Sequence, residues 1–156
     1  MDYLQGVVED YLSAGQGMFV NPECLIKLDA DGPKKERHWY CDIVAVDLKE
    51  NAVFLCEVTY ARQPTALFKR LRQWNENWSK VREALRRDYG IPAAWKIQPQ
   101  LFVLEVRMAD VSSKVRADIT ASGSPCPMPE PAIVSLDQVA RWRLESLESR
   151  PTGPDD

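Results

Sequence analysis

Apolar residues set the first map of the chain. Leu4, Val7, Val8, Tyr11 and Leu12 recur at helical spacing, and Gly15 and Gly17 close the segment, so residues 2–14 are predicted as a helix. "MFVNPECLIKL" (18–28) reads as a strand with a bend or edge at Pro22. Residues 29–37 form a polar connector. Val, Ile, Phe, Tyr and Trp then dominate 38–48 and 51–60, two further strands. Leu67, Leu71, Trp74, Trp78, Val81 and Leu85 alternate spacings of four and three, which predicts one long helix over 64–89, ended by Gly90 and Pro92. A fourth strand is expected at 96–106 and a weak helix near 109–119. A loop is expected at 121–131 and a short buried strand at 132–134. A last helix follows, capped by Ser135 with Gln138 three residues on.

The core order is therefore α-β-β-β-α-β, which predicts an α/β fold with a mixed central sheet and helices on both faces. The crossover through 64–89 returns a strand parallel to its predecessor. Nothing in the pattern divides the chain, so residues 1–148 are expected as one domain and 149–156 as a solvated tail.

Composition narrows the class. The chain has 156 residues, 45% hydrophobic and 28% charged, as in ordinary globular proteins. No apolar run is long enough to cross a membrane. "MDYLQGVVEDYL" is acidic and lacks the long apolar stretch of a signal peptide. Cys24, Cys41, Cys56 and Cys126 form no Cys-x-x-Cys pair, and Cys41 and Cys56 lie inside apolar strands. Buried free thiols, and with them a cytoplasmic location, are the expectation. With His38 as the single histidine, the chain is poor in zinc ligands.

Two acids interrupt the strands. In "CDIVAVDLKENAVFLCEVTYA", Asp42 opens one strand and Glu57 sits deep in the next. A two- or four-residue turn near 48–51 gives one register, in which paired positions sum to 99. Asp42 then faces Glu57 on one side of the sheet, with Cβ atoms roughly 5 Å apart. Like charges so placed need an offset. A nearby Arg or Lys is one solution. A divalent cation with oxygen ligands is the other, and it brings phosphodiester chemistry with it.

The element order, the Asp at the start of the second strand and the Glu-x-Thr of the third resemble the PD-(D/E)XK nuclease superfamily over roughly residues 2–106. The resemblance implies a restriction-endonuclease-like fold with Asp42 and Glu57 as metal ligands for Mg²⁺ or Mn²⁺. It implies an added ligand from the first helix, for which Glu9 is the candidate, and a ligand from the Val58 carbonyl. Gln73 is similar to a glutamine that some members carry in the following helix. Two positions depart from the pattern: Cys41 stands where proline is common, and Thr59 stands where the superfamily has its lysine. A cation would then come from the helix, with Arg70 as first choice because it flanks the apolar seam.

Although the net charge is -3, residues 61–90 hold eight Lys or Arg against three acids. That excess marks a face for nucleic acid, DNA ahead of RNA, with Lys69, Arg72, Lys80 and Arg87 as phosphate contacts. Trp39 and Trp95 are candidates to stack on a base. The resulting expectation is a Mg/Mn-dependent nuclease, with a homodimer as an admissible assembly. The alternative is a catalytically inactive nuclease-fold module that binds nucleic acid or a protein partner.

Overall fold

The computed structural model describes residues 2–29 and 38–149. Positions 30–37 of the expected connector and 150–156 of the expected tail lie outside them. The elements run α1 (Tyr3–Ser13), β1 (Met18–Lys27), β2 (His38–Asp47), β3 (Ala52–Val58), α2 (Thr65–Glu76), α3 (Trp78–Tyr89), β4 (Lys96–Val103), α4 (Met108–Ala121), β5 (Ala132–Ser135) and α5 (Leu136–Glu148). The five strands form one mixed sheet in the order β1-β2-β3-β4-β5. β1–β2 and β2–β3 pair antiparallel, while β3–β4 and β4–β5 are parallel.

Helices cover both faces. Leu67, Leu71, Trp74, Trp78, Val81, Leu85, Val111 and Val115 of α2, α3 and α4 pack on one side, against Val53, Leu55, Leu101 and Val103 of the sheet. Val7, Val8 and Leu12 of α1 and Leu136 and Val139 of α5 pack on the other, against Ile43, Ala45, Cys56 and Phe102. Among the described residues no helix is long and apolar enough to cross a membrane.

The β2–β3 turn takes the four-residue form, Leu48 to Asn51. Asp47 Oδ1 accepts from the Lys49 and Glu50 amides at 2.9 and 3.1 Å, and Asn51 takes the left-handed conformation, φ 51°, that asparagine tolerates. Paired residues sum to 99, from Asp47 with Ala52 to Ile43 with Cys56.

The helix expected over 64–89 is two helices. The apolar seam is continuous, which is why the pattern reads as one, but the backbone breaks at Asn77 (φ -119°, ψ 23°). Its side-chain amide donates to the Gln73 carbonyl at 2.9 Å, so side chain competes with backbone for the helical acceptor. Strand β4 also stops short of the expected 106. Residues Glu105–Arg107 turn in a 3-10 helix that leads directly into α4, and the Glu105 amide is held by Asp137 Oδ2 at 2.7 Å. The stretch after α4 is loop, yet Met128 within it is buried. Asn75 of α2 secures it, accepting from the Met128 amide at 2.8 Å and donating to Ser122 Oγ at 2.7 Å. Ser135 caps α5 by accepting from the Gln138 amide.

β1 is an edge strand, and α3 reaches over to it. Tyr89 donates its hydroxyl to the Leu25 carbonyl, and Arg87 Nη2 donates to the Lys27 carbonyl at 2.6 Å.

Candidate functional site

The β2–β3 ladder stops at Ile43 with Cys56, one step before Asp42 and Glu57. Beyond that point the strands part company. β2 continues against β1 as far as His38, while β3 continues against β4 through Val58, after which the Thr59 amide donates to the Phe102 carbonyl at 3.0 Å. At the fork the Asp42 side chain takes over from the backbone: its Oδ2 accepts from the Val58 amide at 2.9 Å. Glu57 is 5% exposed, and Asp42 lies near enough for its charge to raise the Glu57 carboxyl.

Arg70 of α2 fills the fork. Its Nη1 donates to both Glu57 oxygens at 3.0 Å and to the Tyr40 carbonyl at 2.8 Å, tying β3 to β2 where their ladder has ended. Gln5 of α1 comes from the other side, and its Nε2 donates to the Asp42 carbonyl at 3.0 Å. An open cleft of about 490 Å³ results, lined by Gln5, Glu23, Tyr40, Cys41, Asp42 and Arg70.

The electrostatics follow from burial. Desolvation, then the Asp42 charge, push the Glu57 carboxyl up to about 8, and Arg70 pulls it back only in part. Burial works against the Arg70 charge, but Glu57 and then Asp42 outweigh it and hold the guanidinium above its ordinary value. The Cys41 and Cys56 thiols are raised, chiefly by burial and then by Glu57, so neither is a ready nucleophile. The cluster is a pair of acids facing one fixed cation, with burial favouring the protonated form of Glu57.

The structure thus gathers Asp42, Glu57 and Arg70, while the other expected site residues lie elsewhere or are otherwise engaged. Thr59 Oγ1 accepts from the Ala61 amide at 3.2 Å, so the hydroxyl turns the chain out of β3. Gln73 is half-buried, outside the cleft lining, and its side chain makes no hydrogen bond among the described residues. Glu9 is half-buried one turn along α1 from Gln5 and is not part of the cleft lining; Gln5 is the α1 residue that reaches Asp42. Gln5 escaped the sequence reading because its contact is to a backbone carbonyl, which no side-chain pattern signals.

The basic residues divide in two. Lys69 and Lys80 are exposed and unpaired among the described residues. Arg72 instead pairs with Asp118 at 3.3 Å, and Arg87 pairs with Asp88 at 2.8 Å while bonding Lys27. Trp39 and Trp95, expected as stacking surfaces, are half-buried and pack against the core.

Two carboxylates side by side are a suitable hard-oxygen donor set for Mg²⁺ or Mn²⁺, which commonly take one or two carboxylates with water and phosphate. Among the described residues no group of three or more His, Cys, Asp or Glu is placed to hold a metal ion together, although Glu23 also lines the cleft. Both Glu57 oxygens are engaged by Arg70, so the set fits a cation with Glu57 released from the guanidinium. No known protein-family model matches the chain, and no curated protein is significantly similar to it.

Proposed function

We propose that this protein is a restriction-endonuclease-like domain that hydrolyses nucleic-acid phosphodiesters with Mg²⁺ or Mn²⁺ at Asp42 and Glu57. The observation that carries the reading is the convergence of Asp42, in the lining of an open cleft, with the buried Glu57 behind it, whose two oxygens are held by Arg70. The mixed sheet and the α-β-β-β-α-β order support the same reading.

The divalent ion supplies water activation and Lewis acidity at the phosphodiester. Asp42 and Glu57 hold it, and Asp42 is kept in position by the Val58 amide and, through its backbone, by Gln5. Arg70 transfers its hydrogen bonds from Glu57 to a phosphate oxygen of the substrate and stabilises the charge that builds there. It thereby takes the electrostatic part of the lysine that Thr59 replaces. Lys69, next to it on α2, binds a neighbouring phosphate.

A second reading has its own support. Because Thr59 is spent on a turn and Arg70 engages both Glu57 oxygens, the domain also suits a catalytically inactive module that binds nucleic acid or a protein partner. Calorimetric titration with Mn²⁺ and cleavage assays on DNA and RNA decide between them. The nuclease reading expects Mn²⁺ binding that Glu57→Ala abolishes, and metal-dependent cleavage by the wild type. Wild type that neither binds Mn²⁺ nor cleaves, with cleavage gained in Thr59→Lys, would establish the inactive module instead.

A further inference from the structure

Two exposed tyrosines lie close in sequence to the acids, one of them in the cleft. Tyr40 lines the cleft beside Asp42 and Arg70, yet 61% of its surface is open to solvent. Tyr60, three residues beyond Glu57 on the connector into α2, is 59% exposed. Neither ring packs against another aromatic among the described residues, and neither hydroxyl has a hydrogen-bond partner there. The tryptophans nearest in the sequence are by contrast drawn into the core. Most of each ring is left in solvent; Tyr40 is in the strand that carries Asp42, and Tyr60 follows the strand that carries Glu57. Tyr40 is in β2, two residues before Asp42, and its backbone is fixed by Arg70 through the 2.8 Å bond to its carbonyl.

A stacked duplex hides the faces of its bases, whereas a single strand offers them. Aromatic side chains beside a basic track are the usual means of holding such a strand without reading its sequence. Arg62, on the same connector as Tyr60, and Lys69 are exposed and unpaired among the described residues, and they supply the basic element.

We propose that the substrate is single-stranded nucleic acid, with bases stacked on Tyr40 and Tyr60 so that the intervening phosphate lies against Asp42, Glu57 and Arg70. This rests on the nuclease-like reading of the same site. Tyr40 and Tyr60 are then specificity-determining residues: they select strands whose bases are free, and they take no part in the chemistry.

The test is equilibrium binding of fluorescently labelled oligonucleotides, in EDTA so that no cleavage intervenes. Single-stranded DNA, single-stranded RNA and the corresponding duplexes are compared on wild type, Tyr40→Ala, Tyr40→Phe and Tyr60→Ala. The expected result is preference for one or both single strands over duplex. Each alanine variant weakens single-strand binding by roughly 5- to 100-fold, the range of one lost base–aromatic stack, and leaves the weak duplex binding unchanged. Tyr40→Phe keeps wild-type affinity, because the ring and not the hydroxyl does the stacking. The DNA and RNA arms identify which strand is the substrate. Duplex preference, or alanine variants that bind single strands as wild type does, overturns the stacking proposal while leaving the nuclease reading intact. Failure of every oligonucleotide to bind overturns the stacking proposal, and Mn²⁺ titration of EDTA-free protein with cleavage assays then tests the nuclease reading by itself.

Discussion

Arg70 Nη1 sits 3.0 Å from each carboxylate oxygen of Glu57, and it is the only cationic partner this buried acid has among the described residues. Removing one member of such a pair leaves the other without its offset. Arg70→Ala should therefore destabilise the protein by roughly 1–3 kcal/mol, the range for hydrogen bonds to charged groups. The low end is favoured because the guanidinium is about one-third exposed and partly screened by water. The midpoint of urea unfolding measures this. Adding Glu57→Gln should recover part of the loss at alkaline pH, where Glu57 would otherwise ionise without its offset. In cleavage assays the same Arg70→Ala change should lower the rate by roughly 10²–10³.

Glu57 also makes stability depend on pH. Its carboxyl is raised from an ordinary 4.5 to about 8 in the fold, so the folded state holds a proton that the unfolded chain releases. Stability from this group is complete below pH 4.5 and is lost as pH rises through about 8. Thermal melts of wild type and Glu57→Gln between those limits should converge at low pH and separate at high pH, with the glutamine variant holding its melting temperature. A parallel pair of curves would show that Glu57 does not titrate in this window.

The basic face divides into free and committed charges. Lys69→Glu with Lys80→Glu should weaken nucleic-acid binding on all sequences alike and flatten its dependence on salt, without a cost in stability. Arg87→Glu should instead lower stability, since it breaks the ion pair with Asp88 and the bond to the Lys27 carbonyl. Binding measured over a range of salt concentrations, beside denaturant unfolding of the same proteins, separates the two effects.

Asn75 is a test of the fold alone. Its side chain is buried and bonded to both Met128 and Ser122. Asn75→Ala leaves the Met128 amide unsatisfied and should cost about 1–3 kcal/mol. Metal binding at the acids should be unchanged, which calorimetry on the variant would establish.

The strands and the β2–β3 register were legible because apolar patterning is dense there and because either even-length turn gives the same pairing. Arg70 was legible through its place beside the seam of α2. The rest depended on contacts that leave no periodic trace. Asn77 breaks the helix by bonding a carbonyl four residues back, a competition invisible in the spacing of Leu67 to Leu85. Gln5, rather than Glu9, meets the site because the reach of α1 depends on how α1 packs across the sheet. The ion pairs of Arg72 and Arg87 depend on Asp118 of α4 and on the immediate neighbour Asp88, so charge counting alone could not tell them from the free lysines.

The cover that α3 lays on β1 bears on how the protein behaves at high concentration. An open sheet edge is a template on which another chain can grow, in the manner of a fibril. Here two of the carbonyls that an incoming strand would use, those of Leu25 and Lys27, are already taken by Tyr89 and Arg87. At the opposite edge β5 is only four residues long. The molecule thus carries its own defence against self-templating, and Arg87 serves colloidal solubility as a plug in the sheet more than as a surface charge.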